Sequence, residues 1–219
     1  MQYVIVSCSP QAETRSTSAF LAKAMKDGIM ECGDHSAELF FLNRREKWEE
    51  VKEAIRRSQN ILFVLPVYVE CIPGIMKEFL EQLEPKDECD TTISFLVQGG
   101  FEEASQLRCT EHYLEKIPAY LNCRYGGTIV KGGLFGLTYM RSEKEQRRYY
   151  QKVKALMADY VKAGGFRREI SSLFAGDEYY SAGMIFLSRL LRPLNRMVWT
   201  LTGRKFGIKG KITQRPYEV

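Results

Sequence analysis

Two short apolar runs, each ended by a turn signal, constrain this chain most. Asn60-Ile-Leu-Phe-Val-Leu runs into Pro66, and Thr92 to Val97 runs into Gln98-Gly99-Gly100-Phe101. Such continuous runs predict strands covered on both faces, the habit of a parallel sheet. The rest of the first 165 residues fits that frame. Tyr3 to Val6, Ala37 to Leu42 and Gly127 to Val130 read as further strands. Phe20, Leu21, Ala24, Met25 and Ile29 recur at helical spacing, predicting a helix over 16–31; Trp48, Val51, Ala54 and Ile55 predict a second. Residues 75–83, 103–123 (with a break at Pro118) and 141–163 (closed by Gly164-Gly165) complete the alternation. The order predicts an α/β domain over 1–165, with three layers: a five-stranded parallel sheet and helices on both faces. Residues 166–219 read as a helical C-terminal extension.

Charge separates the same two parts. From Ile185 to Val219 there are eight Lys/Arg and one acid, Glu218, while the remainder holds 24 Lys/Arg against 26 acids. A near-neutral body argues against a nucleic-acid groove and leaves the basic tail as a separate question. In the tail, Met184, Leu187, Leu190, Leu191, Leu194, Val198 and Leu201 recur at helical spacing, interrupted by Pro193, with Arg189, Arg192 and Arg196 between them. The first reading is packing on its own domain or on another subunit, and the second is contact with an anionic membrane surface. No apolar run approaches the ~20 residues that span a bilayer. The chain enters its first strand at once, without the pattern of a signal peptide, so cytoplasm is the expected compartment. Cys8, Cys32, Cys71, Cys89, Cys109 and Cys123 are scattered with no C-x-x-C pair, which argues against a disulfide scaffold and a local zinc or iron–sulfur site. No metal centre is expected.

In open parallel sheets, ligands sit at the carboxyl ends of the strands, where the strand order switches. Three loops at such ends carry unusual chemistry. The first, Ser7 to Ser18, offers the hydroxyls of Ser9, Thr14, Ser16, Thr17 and Ser18, with Arg15 among them. It has neither the Gly-Lys-Ser/Thr of a triphosphate clamp nor the glycines of a dinucleotide turn. A single phosphate held by hydroxyls and amides fits it; so does a plain helix start with Ser16 or one of its neighbours as N-cap. The second, Pro66-Val67-Tyr68-Val69-Glu70-Cys71-Ile72-Pro73-Gly74, has a shape fixed by prolines and suits a flat heteroaromatic ring, or else is an ordinary connection. The third, Gln98-Gly99-Gly100-Phe101, brings backbone close to a ligand or simply turns tightly. Only His35 and His112 exist and neither lies in a loop of interest, so no catalytic acid or base is named and a Ser-His-Asp or Cys-His hydrolase is disfavoured. Cys8 and Cys71 do lie in these loops. A thiol beside a helix N-terminus has a lowered pKa, so one of the two is a candidate redox group.

The loops resemble those of the flavodoxin-like, NAD(P)H-dependent FMN reductase family. Ser9-Pro10 and Ser16-Thr17-Ser18 match the family's phosphate loop; Pro66-Val67-Tyr68 and Ile72-Pro73-Gly74-Ile75-Met76-Lys77 match the loop bordering the flavin ring. Gly100-Phe101-Glu102 matches the turn after the fourth strand, and Gly126-Gly127 and Gly132-Gly133 the fifth-strand region. The resemblance covers 1–165 and implies a flavodoxin-like fold. It also implies FMN as cofactor, NADPH or NADH as co-substrate, and hydride passage through the flavin to a small electron acceptor such as a quinone or free flavin. FMN would be held by Ser9, Gln11, Arg15, Ser16, Thr17, Ser18, Pro66, Val67, Tyr68, Val69, Ile72, Gln98, Gly99, Gly100 and Phe101. Cys8 stands where the family usually has Gly, so its side chain is expected to crowd the turn; Gln11 stands where Arg is frequent, so phosphate affinity is expected either to be reduced or to be served by Arg15 instead. A homodimer is implied as well. A flavodoxin-type electron carrier and a non-enzymatic flavin-fold binding protein are the alternatives. Family members carry a C-terminal extension ending like Arg215-Pro216-Tyr217.

Overall fold

The computed structural model describes residues 1–87, 90–205, 207–208 and 210. Cys89 and the Arg215-Pro216-Tyr217 ending lie outside the described residues. The chain divides into two compact units, Met1–Glu178 and Tyr179–Val219.

The first unit carries the expected α/β architecture. Its strands are β1 (Gln2–Ser7), β2 (Ser36–Phe41), β3 (Asn60–Pro66), β4 (Thr92–Gln98) and β5 (Arg124–Lys131), all parallel, in the order β2-β1-β3-β4-β5. The helices are α1 (Thr17–Met30), α2 (Trp48–Arg57), α3 (Gly74–Leu80), α4 (Ser105–Leu114), α5 (Ile117–Tyr120), α6 (Glu143–Ala163) and α7 (Arg168–Ala175). The helical stretch expected over 103–123 is two helices, with Pro118 in the first turn of α5, where its missing N–H costs nothing.

Side-chain alternation along the strands builds two cores. On one face Val4 and Val6, Ile61, Phe63 and Leu65, and Ile93, Phe95 and Val97 pack against α2, α3 and α4. On the other, Tyr3 and Ile5, Leu62 and Val64, and Leu96 pack against α1 and α6. Trp48 of α2 meets Phe79 of α3 edge-on at 5.4 Å, and its indole N–H donates to the Leu42 carbonyl at 2.9 Å. On the opposite face the buried Tyr160 hydroxyl pairs with Ser94 at 3.0 Å. Gly164 adopts φ 71° and ends α6, as its sequence position foretold.

The sheet unit runs beyond the expected boundary at 165. Helix α7 packs on β5, and the backbone of Asp177 and Glu178 accepts from the N–H groups of Ala104 and Ser105 at 3.0 and 3.2 Å. Arg108 then clamps Glu178 while it also holds Glu111. These bonds satisfy donors at the start of α4, so the segment to 178 belongs with the sheet.

Candidate functional site

Strand order places the site. From β1 the chain goes outward to β2, then returns past β1 to β3 and continues through β4 to β5. The carboxyl ends of β1 and β3 are therefore a switch point, with loops leaving in opposite directions. The register sets Ser7 beside Val64 and Pro66 beside Gln98, so the three loops singled out in the sequence start side by side.

The first loop ends on α1. Ser16 is its N-cap, and its Oγ accepts from the Ala19 N–H at 3.1 Å. The N–H groups of the next two residues, Thr17 and Ser18, have no partner among the described residues, although both side chains are buried and held. Thr17 Oγ1 donates to the Leu134 carbonyl at 3.3 Å, and Gln98 Nε2 donates to Ser18 Oγ at 3.5 Å. Two open donors at the positive end of a 14-residue helix suit an anion. The two readings of this stretch are thus compatible: Ser16 caps the helix and leaves the donors beside it free. Ser9 is buried and its Oγ accepts from the Gln11 N–H at 3.2 Å, closing a local turn. Gln11 and Arg15 are exposed. Their carbonyls are tied to neighbours, by Asn43 Nδ2 at 3.1 Å and Thr138 Oγ1 at 3.0 Å. Asn43 was not foreseen. Its Oδ1 is buried without a partner among the described residues, an acceptor left for a hydroxyl.

Cys8 corrects the sequence reading. Along β1 the side chains alternate, and Val4, Val6 and Cys8 face the same core, on the side away from α1. The thiol therefore does not crowd the turn. It is wholly buried, donates to the Val6 carbonyl at 3.4 Å, and burial pushes its pKa well up rather than down. A buried neutral thiol is inert, so Cys8 is not the redox group. Cys71 is exposed, as is Cys109. In the native protein iodoacetamide will modify Cys71 and Cys109 and spare Cys8 and Cys123 until denaturant is added. Peptide mass spectrometry reads the difference, and early modification of Cys8 would show that the β1 end opens.

The second loop is a tight turn of unusual composition. Tyr68 and Cys71 exchange backbone bonds, N–H to carbonyl, at 3.0 and 3.1 Å. Val69 and Glu70 between them have φ 50° and 62°. Both central residues are left-handed, as in the type I′ turns that favour Asn-Gly. A β-branched residue there is strained, and strain of this kind concentrates at working sites. Val69 is 96% exposed, and the N–H groups of Val69 and Glu70 are free of partners among the described residues. The Glu70 carbonyl is anchored by Thr110 Oγ1 at 2.8 Å. Pro66 is buried at the end of β3, while Val67 and Ile72 pack on the core beneath, so these residues shape the loop from below. Burial raises the Tyr68 phenol pKa; the Ser9 side chain, which hydrogen-bonds to it, pulls the other way. First and second loops thus meet through Ser9 and Tyr68. Replacing Val69-Glu70 by Asn-Gly should raise stability by about 1 kcal/mol, from relief of one strained residue. A urea titration checks this; an unchanged midpoint would mean that the turn is not strained.

The third loop is strapped to a partner that the sequence did not reveal. Gly99 N–H donates to Lys131 at 3.1 Å, Gly133 N–H to Phe101 at 2.8 Å, and Leu134 N–H to Gly99 at 3.0 Å. The connection from β5 to α6 is therefore a fourth loop of the site. It touches the first loop too, through Leu134 and Thr138. A Cβ at Gly99 would sit 2.7 Å from Leu107 Cδ2, so the Leu107 side chain would have to turn aside to admit one. Gly100 is exposed, and the N–H groups of Gly100 and Phe101 have no partner among the described residues. Tyr68, Val69, Phe101, Phe135, Tyr139 and Met140 form exposed apolar surface on these loops. His35 lies against Tyr3 at the other end of the sheet, and His112 is exposed on α4.

These residues fit a flavin nucleotide: open amides and buried hydroxyls at a helix start for a phosphate, and two amide-bearing loops with aromatic neighbours for a ring. Residues 1–130 match the family model described as NADPH-dependent FMN reductase. The chain belongs to this family. It is an FMN-dependent NAD(P)H oxidoreductase, with FMN as cofactor and NAD(P)H as co-substrate. No curated protein matches this family member in sequence. Its fold is that of several solved oxidoreductases. The NAD(P)H:quinone oxidoreductase from Methanothermobacter marburgensis has a TM-score of 0.58 at 15% identity, over 74% of this chain and 97% of that one. The FMN-dependent NADH-azoreductase from Bacillus anthracis, solved with FMN, has a TM-score of 0.54 at 13% identity, over 73% and 99%. An NADH:FMN oxidoreductase in its apo form has a TM-score of 0.58 at 14% identity, over 84% and 98%.

Proposed function

We propose that this family member is a cytoplasmic homodimer that reduces a flat small molecule of the quinone class, with FMN seated across the β1–β3 switch point. The supporting observation is the convergence there of three loops whose amides lack partners. Thr17 and Ser18 offer N–H groups to the phosphate, with Ser9 and Ser16 beside them and Arg15 and Gln11 at the rim. Tyr68, Val69, Gly100 and Phe101 border the ring, while Pro66, Val67, Ile72, Gln98 and Gly99 hold those loops in shape. Bound FMN supplies the two-electron chemistry. The chain's part is binding, orientation and exclusion of water; no side chain need act as acid or base. In the net reaction NAD(P)H becomes NAD(P)⁺, and the quinone takes two electrons and two protons, one of the protons from solvent. The exposed Phe101, Phe135, Tyr139 and Met140 support both an aromatic acceptor and a subunit contact at this edge.

The test is direct. Purified protein should show the visible spectrum of bound oxidised flavin and oxidise NADH or NADPH when a water-soluble quinone is added. A colourless protein that gains no flavin on incubation with FMN would end this reading. Light scattering decides the homodimer separately.

A further inference from the structure

The second unit has helices of its own, α8 (Ala182–Leu190) and α9 (Arg192–Lys205). Ser181 caps the first, its Oγ accepting from the Met184 N–H at 3.2 Å. Pro193 stands in the first turn of the second, where a proline is tolerated, so the helical pattern breaks at Leu191. None of the large apolar side chains of α8 and α9 is buried; Phe186 is 70% exposed and Leu190 66%. Around α8 only Ser188 and Arg189 interrupt an apolar surface. A helix apolar nearly all round calls for a cover. On α9, Leu194, Met197, Val198 and Leu201 fall on one stripe, with Arg192 and Arg196 on the opposite side.

Charge identifies the cover. Residues 179–217 contain eight Lys/Arg and no acid. A twofold contact between copies would bring two such units together, each carrying this excess of positive charge with no acid in 179–217 to offset it. An anionic lipid surface takes the apolar stripe at its acyl boundary and attracts the basic polar face of the same helix, one helix diameter away, through its surface charge. Helices of 9 and 14 residues measure about 14 and 21 Å, short of the ~30 Å hydrocarbon core. Among the described residues no helix is long and apolar enough to cross a membrane. We propose that the unit from Tyr179 onward is a peripheral docking module that lies on a membrane leaflet rich in anionic phospholipid.

The experiment is flotation of the full-length protein with vesicles of phosphatidylcholine alone, or with phosphatidylglycerol added. Anionic vesicles should capture it at least ~10-fold more strongly than neutral ones, and capture should weaken as salt shortens the screening length. Arg189→Glu/Arg192→Glu/Arg196→Glu and Phe186→Asp/Leu190→Asp should each abolish capture, and the salt dependence of the wild type stands whether or not these variants fold. Equal capture by both vesicles overturns the proposal, as does capture by neither. An oligomer that ignores vesicles and dissociates in Phe186→Asp/Leu190→Asp would make a second copy the cover and overturn it as well.

Discussion

Ser16→Asp should keep the fold and lose the flavin. Ser16 caps α1 through its Oγ, and aspartate caps as well as serine does while adding charge at the favourable end of the helix dipole. Stability of the apo protein should therefore hold or rise slightly. The new carboxylate, however, stands beside the open N–H groups of Thr17 and Ser18 that we assign to the phosphate. Unit charges about 4–8 Å apart at an effective dielectric near 20 repel by about 2–4 kcal/mol, a loss of roughly 30- to 1000-fold in affinity. Ser16→Ala is the contrasting control. It removes the cap at a cost of about 1 kcal/mol in stability but adds no repulsion. Urea titration and FMN fluorescence titration together separate the effects. If Ser16→Asp bound FMN as tightly as the wild type, the phosphate would lie elsewhere and the start of α1 would be a capped helix and nothing more.

How much of this could be read in advance depends on whether the signal was local. Asn60 to Leu65 and Thr92 to Val97 were legible as strands because burial on both faces demands a continuous apolar run. The hydroxyl cluster at Ser16, Thr17 and Ser18 was legible because helix starts select such residues. The orientation of Cys8 was legible too, had the Val4, Val6, Cys8 alternation been carried one step past the strand. Other features had no local signature. Val69 and Glu70 are poor choices for left-handed backbone, so nothing in their chemistry announced the turn. Asn43 reaches the first loop from the end of β2, a contact set by pairing of strands far apart in sequence. The fourth loop joined the site through backbone bonds from Gly133 and Leu134; the Gly132-Gly133 pair marks a close backbone approach but does not say to what. In the tail the amphipathic spacing and the charge were plain, but only the structure shows that its apolar side chains stay exposed.

Gly132→Ala should damage both stability and flavin binding, and it tests the fourth loop. A Cβ at Gly132 would lie 2.2 Å from the Phe101 carbonyl oxygen and 2.6 Å from that of Glu102. Both are backbone atoms, so no rotamer change relieves the contact, and the third loop itself must move. That movement strains or breaks the Gly133-to-Phe101 bond of 2.8 Å and the Leu134-to-Gly99 bond of 3.0 Å. Overpacking with loss of these bonds costs about 2–4 kcal/mol. The free amides of Gly100 and Phe101 shift with the loop, and a displacement near 1 Å in a positioned group can cost roughly 100-fold in rate. Gly100→Ala separates the two consequences. Its Cβ would meet only Phe135 Cβ, at an ordinary 3.5 Å, and Gly100 is not among the glycines with positive φ. Stability should then change by no more than about 0.5 kcal/mol. A fall in FMN affinity or turnover in Gly100→Ala, without a fall in stability, would report crowding of the ligand at the third loop. If Gly132→Ala matched the wild type in urea midpoint, FMN affinity and turnover, the strap between the third and fourth loops would carry no part of the site.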